Sequence, residues 1–226
     1  GAITGLPGFE DGDWWVQDWA AALPARLLAP KEGAQVLDLC AAPGGKTMQL
    51  AAIGAHVTAL DISDGRMERV EQNLDRTGLD ADLITADALE FEADGLFDAV
   101  LLDAPCSATG TIRRHPDLPH IKSSKDMKAL TDLQAALIDK ALTLLKPGGT
   151  LLYCTCSLER EEGEDQIIAA LDRHASLSRA PFTADDTDGL PDDAVNAAGE
   201  IRLLPYFWRD QGGMDGFFIA RMTKAG

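Results

Sequence analysis

Short apolar runs alternate along the chain with stretches in which apolar residues recur every three or four positions. The short runs predict strands at residues 36–39, 56–60, 82–85, 97–102, 150–153, 201–204 and 216–221. The helical spacing predicts helices at residues 14–28, 46–52, 63–77, 126–145 and 161–174, with Pro24 as a potential break in the first. We expect a turn at 146–149 and a surface loop over about 176–200, because both are poor in large apolar residues. Alternating strands and helices predict an α/β fold whose sheet is mainly parallel.

Two predicted strands lead directly into a cysteine. Asp103-Ala104-Pro105-Cys106 follows one, and Tyr153-Cys154-Thr155-Cys156 ends another. In an open parallel sheet the ligand crevice lies at the carboxyl ends of the strands. A lone cysteine there is most often a small core residue. Two thiols delivered by different strands beside a cofactor loop favour covalent chemistry on a bound substrate instead.

The candidate cofactor loop is the segment Cys40–Thr47, a small-residue turn between a strand and a helix. A phosphate-binding P-loop would need glycine where Cys40 stands, and a dinucleotide fingerprint would not have Gly44 and Gly45 adjacent. The third class with this architecture binds S-adenosylmethionine. It requires an acid after the second strand for the ribose hydroxyls, and Asp61 stands there; Asp87, after the third strand, is placed to meet the adenine amino group. Asp61 alone could be a helix cap, but together with the loop it favours this cofactor.

Composition and charge narrow the choice of partners. The 226 residues carry a formal net charge of −17, which opposes general binding to polyanions. An RNA partner would need a local basic patch, and residues 113–128 hold five basic residues against two acidic ones; a solvated loop explains that segment equally well. The basic residues of this patch are Arg113, Arg114, Lys122, Lys125 and Lys128.

The four cysteines indicate the compartment. Their spacing matches neither a secreted disulfide framework nor a zinc site, so we expect free thiols in a reducing cytoplasm and no metal. Every apolar run is too short to span a membrane, and no signal peptide is recognisable. Because the chain starts with Gly1 and not with methionine, we expect either a trimmed chain or a fragment.

Three long motifs, CAAPGGKT (Cys40 to Thr47), DAPCSATGTIRRHPD (Asp103 to Asp117) and YCTCSLEREEGEDQI (Tyr153 to Ile167), closely resemble the Sun/Fmu (RsmB-like) family of S-adenosylmethionine-dependent RNA cytosine-5 methyltransferases. The segments FEDGDWWVQDWAA near the start and GFFIARM near the end resemble the flanking motifs of the same family. The resemblance covers nearly the whole chain. It implies the class I methyltransferase Rossmann-like fold, with a seven-stranded, mostly parallel sheet, helices on both faces and an antiparallel last strand.

The resemblance also implies a division of the chain and roles for its residues. Residues 1–30 would form a helical junction to an RNA-binding domain, and residues 31–226 the methyltransferase domain. Cys156 would be the nucleophile that adds to cytosine C6, Cys106 would assist product release, and Asp103 would contact the pyrimidine edge. The partner would be RNA, ribosomal rather than transfer RNA, and the protein a cytoplasmic monomer. The implied cofactor contacts are Cys40, Ala41, Ala42, Pro43, Gly44, Gly45, Lys46, Asp61, Arg66, Asp87 and Asp103.

Two rival functions remain open from the residues alone. A methyltransferase for exocyclic amines would need a strand end of the type Asn/Asp-Pro-Pro-Tyr/Phe, and Cys106 replaces the aromatic residue. A binding module that has lost activity is expected to lack Cys156, Asp103 or the loop glycines, and all are present. Cys154 is assigned no role. The bulky Trp14, Trp15 and Trp19 leave the RNA contacts of the first helix undefined; no motif identifies the target cytosine.

Overall fold

The computed structural model describes residues 2–118 and 124–226, except for the side chains of residues 124 and 125. The helices are α1 Trp19–Leu28, α2 Gly45–Ala52, α3 Asp64–Thr77, α4 Ser124–Leu144 and α5 Glu164–Arg173. The strands are β1 Gln35–Leu39, β2 His56–Asp61, β3 Asp82–Thr85, β4 Phe97–Asp103, β5 Leu145–Thr155, β6 Leu177–Arg179, β7 Ile201–Leu203 and β8 Phe217–Lys224.

In this described part of the chain the eight strands form one sheet in the order β3-β2-β1-β4-β5-β8-β6, with β7 also paired to β8. Strands β1 to β5 run parallel, whereas β8 is antiparallel to β5, so the predicted mainly parallel sheet with an antiparallel last strand is confirmed. One strand more than expected is present. It is β6, which lies in the segment predicted to be a surface loop and pairs with β8 through residues 177–179. Three residues are too few to show an alternating pattern in the sequence.

The first helix is shorter than predicted. It begins at Trp19 rather than at residue 14, because Asp18 caps it by accepting a hydrogen bond from the Ala20 backbone N–H at 2.9 Å. Residues 14–17 before Asp18 form no helix, and the Trp14 indole N–H donates to the carbonyl of Pro7 instead. Pro24 lies inside the helix without dividing it.

The predicted turn at 146–149 belongs to β5, which follows α4 directly. Pairing with β4 shifts between Phe97 and Ala99, so these residues form an irregular start to the strand. Gly148 has φ +77°, and a Cβ on Gly149 would lie 2.9 Å from the Asp98 carbonyl oxygen, which explains both glycines.

The core lies on both faces of the sheet, as predicted. Successive residues of one strand point to opposite faces: Leu37 packs with α4 through Ile138, and Val36 with α1 through Leu23. Because both faces are covered, the carboxyl ends of the parallel strands form the accessible edge. The predicted site residues lie at that edge.

Candidate active site

The loop after β1 allows close backbone approach to a ligand. Cys40 adopts φ +62° and Gly44 adopts φ +98° immediately before α2. The positive φ of Gly44 favours glycine there, and a Cβ on Gly44 would lie 3.0 Å from Val70. A Cβ on Gly45 would lie 3.1 Å from the Gln17 side chain, so the packing around both positions is close. Burial raises the pKa of the Cys40 thiol to about 12, so Cys40 contributes backbone rather than a nucleophile.

Asp61 ties this loop to the end of β2. Its buried carboxylate accepts hydrogen bonds from the backbone N–H groups of Ala42 at 3.2 Å and of Ser63 at 3.1 Å. Arg66 forms an ion pair with Asp61 at 3.4 Å and donates to the Ala42 carbonyl at 2.7 Å. The structure therefore brings Asp61 and Arg66 to the loop as predicted. Each carboxylate oxygen can accept a second hydrogen bond, so Asp61 can also receive ribose hydroxyls.

Two further acids lie along the same edge. Asp87 is exposed after β3, and its Oδ1 accepts from the backbone N–H of Leu89 at 2.9 Å. Asp38, which the sequence analysis missed, is fully buried in β1. Its Oδ2 accepts from the Thr47 hydroxyl at 2.6 Å, and its Oδ1 has no hydrogen-bond partner among the described residues. Burial raises the pKa of Asp38 to about 7. A carboxylate within an apolar run was the sequence signal for this residue.

Lys46 and Asp103 connect the cofactor loop to β4. The Lys46 ammonium lies 2.7 Å from Asp103 Oδ2. Burial alone would lower the pKa of Lys46, but the attraction of Asp103 outweighs it and the pKa is raised, so the lysine stays charged. The buried Cys154 thiol donates to Asp103 Oδ1 at 3.6 Å, and burial raises its pKa too. The hydrogen bond from Cys154 thus helps to hold the Asp103 carboxylate in place.

The two strand-end thiols meet. The sulfur atoms of Cys106 and Cys156 are 3.5 Å apart although fifty residues separate them in the chain. The hydrogen bond with Cys156 and burial raise the pKa of Cys106 well above its ordinary value, so Cys106 is protonated at neutral pH. The convergence predicted from the ends of two strands is therefore present.

A groove of about 640 Å³ opens beside the cofactor loop and the end of β5. Its walls include the cofactor loop from Ala41 to Lys46, Asp103 and Cys156. Phe9 and Trp15 of the N-terminal segment line the same opening. A volume of this order suits a small organic ligand or a single extruded base together with part of a cofactor.

Arg113 and Arg114 also line the groove, but acids neutralise them. Arg113 lies 3.3 Å from Asp18 and 3.5 Å from Asp215, and Arg114 forms a very short ion pair with Asp215. The hydrogen bonds that Arg114 donates to Asp215 raise the pKa of Arg114. Cys156 acts in the same direction, so this guanidinium lies within electrostatic reach of the sulfur. At the groove, the residues predicted to form a positive patch therefore form a cluster with no net charge, because two aspartates pair with the two arginines.

The described remainder of the predicted basic patch holds one paired lysine. Lys128 is exposed and pairs with Asp132 at 2.6 Å, one helical turn away. Lys122 and the side chain of Lys125 lie outside the described residues. The described part of the patch therefore offers no unpaired cation to the phosphates of an RNA.

Two other kinds of site are absent from the described residues. None of their helices is long and apolar enough to cross a membrane. No group of three or more His, Cys, Asp or Glu side chains within them could hold a metal ion.

A family model described as "16S rRNA methyltransferase RsmB/F" matches residues 25–223, which is most of the chain. The chain belongs to the RsmB/F family. This confirms the resemblance carried by the three motifs. Ribosomal RNA small subunit methyltransferase B of Shewanella oneidensis is 42% identical over 228 residues, which cover 99% of this chain and 50% of the relative. The protein of the same name from Yersinia enterocolitica gives the same figures, so the chain spans about half the length of these curated relatives.

Similar solved structures confirm the class I methyltransferase fold. NSun6 from Pyrococcus horikoshii, solved with the ligand SFG, superposes with a TM-score of 0.86 at 30% identity, over 100% of this chain and 57% of that one. A methyltransferase homologue from the same organism gives 0.80 at 35% identity, over 99% and 72%.

Proposed function

We propose that this RsmB/F chain is the catalytic part of an RNA (cytosine-5) methyltransferase acting on ribosomal RNA. The observation that carries the proposal is the 3.5 Å contact between the Cys106 and Cys156 sulfur atoms. Of the two, Cys156 lines the groove that Asp103 and the cofactor loop also line. A methyltransferase that uses an amine of the base as nucleophile has no need of a thiol pair. The names of the relatives support ribosomal RNA as the substrate.

S-adenosylmethionine is the cofactor, and when bound it supplies an electrophilic methyl group. The residues fit it: the loop from Cys40 to Lys46 provides a close backbone surface at the end of β1. Asp61 receives the ribose hydroxyls and Asp87 the adenine amino group, both as charge-assisted hydrogen bonds. The unpartnered Oδ1 of Asp38, buried beneath the loop, is suited to the amino group of the methionine part.

Cys156 performs the first chemical step. Carbon 5 of cytosine is a poor nucleophile. The Cys156 thiolate would form a bond to C6, and the displaced electron pair would make C5 an enamine carbon. That carbon could then accept the methyl group of the bound cofactor, whose bond to sulfur would break with its electron pair left on the sulfur. The target base must be unstacked to enter the groove, since C6 is inaccessible within a helix.

Asp103 and Lys46 act on the pyrimidine edge. Asp103 holds the base through hydrogen bonds, and the Lys46 ammonium beside it offsets the negative charge that builds on N3 during attack. Because Asp103 keeps Lys46 charged, the pair supplies this stabilisation throughout the neutral range.

Cys106 acts in release. After methyl transfer, C5 carries both a proton and the new methyl group, and the Cys156–C6 bond must break. Cys106 transfers its proton to the departing Cys156 sulfur atom, and the resulting Cys106 anion takes the C5 proton while the C5–C6 double bond re-forms. The raised pKa of Cys106 makes that anion a strong base.

The test is to identify the product. The chain is incubated at low salt with small-subunit ribosomal RNA and S-adenosylmethionine labelled in the methyl group, and digested nucleosides are separated by mass spectrometry. We expect labelled 5-methylcytidine with the wild-type chain and none with Cys156→Ala. Labelled N4-methylcytidine would establish the exocyclic-amine rival, and unlabelled RNA would favour a binding module.

A further inference from the structure

A buried carboxylate lies between the two cysteine loops. Glu162 ends the short 3-10 helix Arg160–Glu162 immediately before α5, and its side chain is fully buried. The carboxylate accepts hydrogen bonds from the Ser107 backbone N–H at 2.9 Å, the Ser107 hydroxyl at 2.5 Å and the Ser157 hydroxyl at 2.5 Å. Ser107 follows Cys106 in the chain, and Ser157 follows Cys156. One side chain is therefore hydrogen-bonded to the residue that follows each of the two cysteines.

Contacts from two more elements fix Glu162 itself. Gln134 of α4 donates to Glu162 Oε1 at 3.0 Å and to the carbonyl of Pro105 at 2.8 Å, so it joins the carboxylate to the Cys106 loop a second time. The Tyr153 hydroxyl of β5 donates to the Glu162 backbone carbonyl at 2.8 Å. The carboxylate thus connects the ends of β4 and β5 and is held from both sides.

The energetics argue that this arrangement serves more than packing. A buried carboxylate is costly unless it is fully hydrogen-bonded or paired with a cation. Among residues 2–118 and 124–226, no cationic side chain forms an ion pair with Glu162, so neutral hydrogen-bond donors alone compensate its charge. An apolar residue could fill the space without that cost, but it could not join both loops.

We propose that Glu162 is the positioning residue of the two-thiol site: its carboxylate clamps the loop after β4 to the loop after β5 and so holds the Cys106 and Cys156 sulfur atoms in contact. This deepens the proposed function and rests on it for the catalytic consequence. Proton transfer between the two sulfurs needs the short separation, so loosening the clamp should slow release of the Cys156 adduct more than its formation.

The clamp can be tested without RNA or cofactor, through the disulfide that the two sulfurs form under oxidation. Oxidised dithiothreitol removes two electrons and two protons from Cys106 and Cys156 and is itself reduced to the dithiol. The position of this equilibrium, read by alkylation and mass spectrometry, gives the effective concentration of one thiol at the other. Cys156→Ser cannot form this disulfide, so its comparison with the wild type shows which mass-spectrometry signal belongs to the Cys106–Cys156 disulfide.

Glu162→Gln is the decisive variant, and Glu161→Gln, its exposed neighbour, is the matched control. We expect Glu162→Gln to lower the effective concentration about tenfold, since misplacement of reacting groups by a fraction of an ångström has effects of this order. Glu161→Gln should match the wild type. A wild-type equilibrium in a folded Glu162→Gln chain would overturn the proposal.

If Glu162→Gln does not fold, Ser157→Ala decides the question, because it removes one of the clamp's donors and little volume. It should lower the effective concentration about threefold, and an unchanged value would overturn the proposal.

Steady-state kinetics supply the functional readout: Glu162→Gln should lower kcat and leave KM for S-adenosylmethionine unchanged. If the wild-type chain makes no 5-methylcytidine, the proposed function fails while the dithiol result still stands on its own.

Discussion

The sulfur atoms of Cys106 and Cys156 are in contact, yet their surroundings differ. Cys156 lines the groove beside Asp103, within electrostatic reach of Arg114. Cys106 lies behind it, next to the Glu162 network, where hydrogen bonding with Cys156 and burial raise its pKa. These environments are the reason for assigning attack to Cys156 and release to Cys106.

Asp61 provides the residue-level test of the cofactor site. Asp61→Ala should weaken S-adenosylmethionine binding roughly ten- to hundred-fold, because charge-assisted hydrogen bonds worth about 1.5–3 kcal/mol are lost. Asp64→Ala, an exposed acid one turn further on in α3, is the control and should bind normally. Calorimetry with each variant measures both. Unchanged affinity in Asp61→Ala would remove Asp61 from the site.

Asp38 makes stability depend on pH. Its pKa is raised from 3.8 to about 7, so between about pH 4 and pH 7 the folded chain retains a proton that the unfolded chain has released. Its contribution to stability is therefore present at low pH and is lost as the pH rises through this window, by at most about 4 kcal/mol. Asp38→Asn cannot ionise, so its stability relative to the wild type should grow from pH 5 to pH 8. Urea denaturation at several pH values measures this, and parallel profiles would contradict it.

Among the elements, the turn Thr109–Thr111 positions Cys156 through main-chain contacts. The Gly110 N–H donates to the Cys156 carbonyl at 3.0 Å, and the Gly110 carbonyl accepts from Gly216 at 2.8 Å. A Cβ on Gly110 would lie 2.0 Å from the Gly216 carbonyl oxygen, so the turn and the start of β8 can approach only at a glycine.

Two glycine substitutions test that packing. Gly110→Ala should destabilise the chain by about 2 kcal/mol or more, because backbone must move to admit the methyl group. Gly65→Ala is the control: nothing lies within 4 Å of its added Cβ in α3, and it should stabilise by roughly 0.5–1 kcal/mol. Thermal unfolding of both variants gives the comparison. A Gly110→Ala chain as stable as the wild type would show that the turn can shift.

The sequence predicted the elements with long, clear patterns and missed those set by distant contacts. The parallel strands and α4 follow from apolar runs and helical spacing, and the strand ends place Cys106, Cys156 and Asp61 at one edge. The sequence analysis missed β6 because this strand is short and its partner β8 lies more than forty residues further along the chain. The Arg114–Asp215 pair and the position of Glu162 between two loops could not be predicted either, since no local pattern identifies a side-chain partner fifty to a hundred residues away.

For the whole molecule, we expect charge to govern the proposed capture of RNA. The net charge of −17 repels RNA, and the arginines at the groove are already paired with Asp18 and Asp215. The division into a junction over residues 1–30 and a catalytic domain over 31–226 remains a prediction; α1 packs on the sheet within the core.

Asp215→Asn should release Arg113 and Arg114 from their shared carboxylate and strengthen RNA binding at low salt. Each guanidinium that gains a phosphate contact steepens the dependence of log K on log salt by about 0.9, so the gain should vanish at high salt. Asp132→Asn, which frees only the distant Lys128, is the control. Fluorescence anisotropy over a salt series measures this. Equal affinity of wild type and Asp215→Asn at all salt concentrations would show that the pairs do not mask the groove.

The central claim, cytosine-5 methylation through a Cys156 adduct, is tested most directly by denaturing electrophoresis of the chain after reaction with methyl-labelled S-adenosylmethionine and ribosomal RNA. Cys106→Ala should accumulate a labelled protein–RNA adduct, because attack and methyl transfer proceed while release stalls. Cys156→Ala and the double variant should show none, since no bond to C6 can form. An adduct that persists in Cys156→Ala, or that forms there and not in Cys106→Ala, would contradict the account.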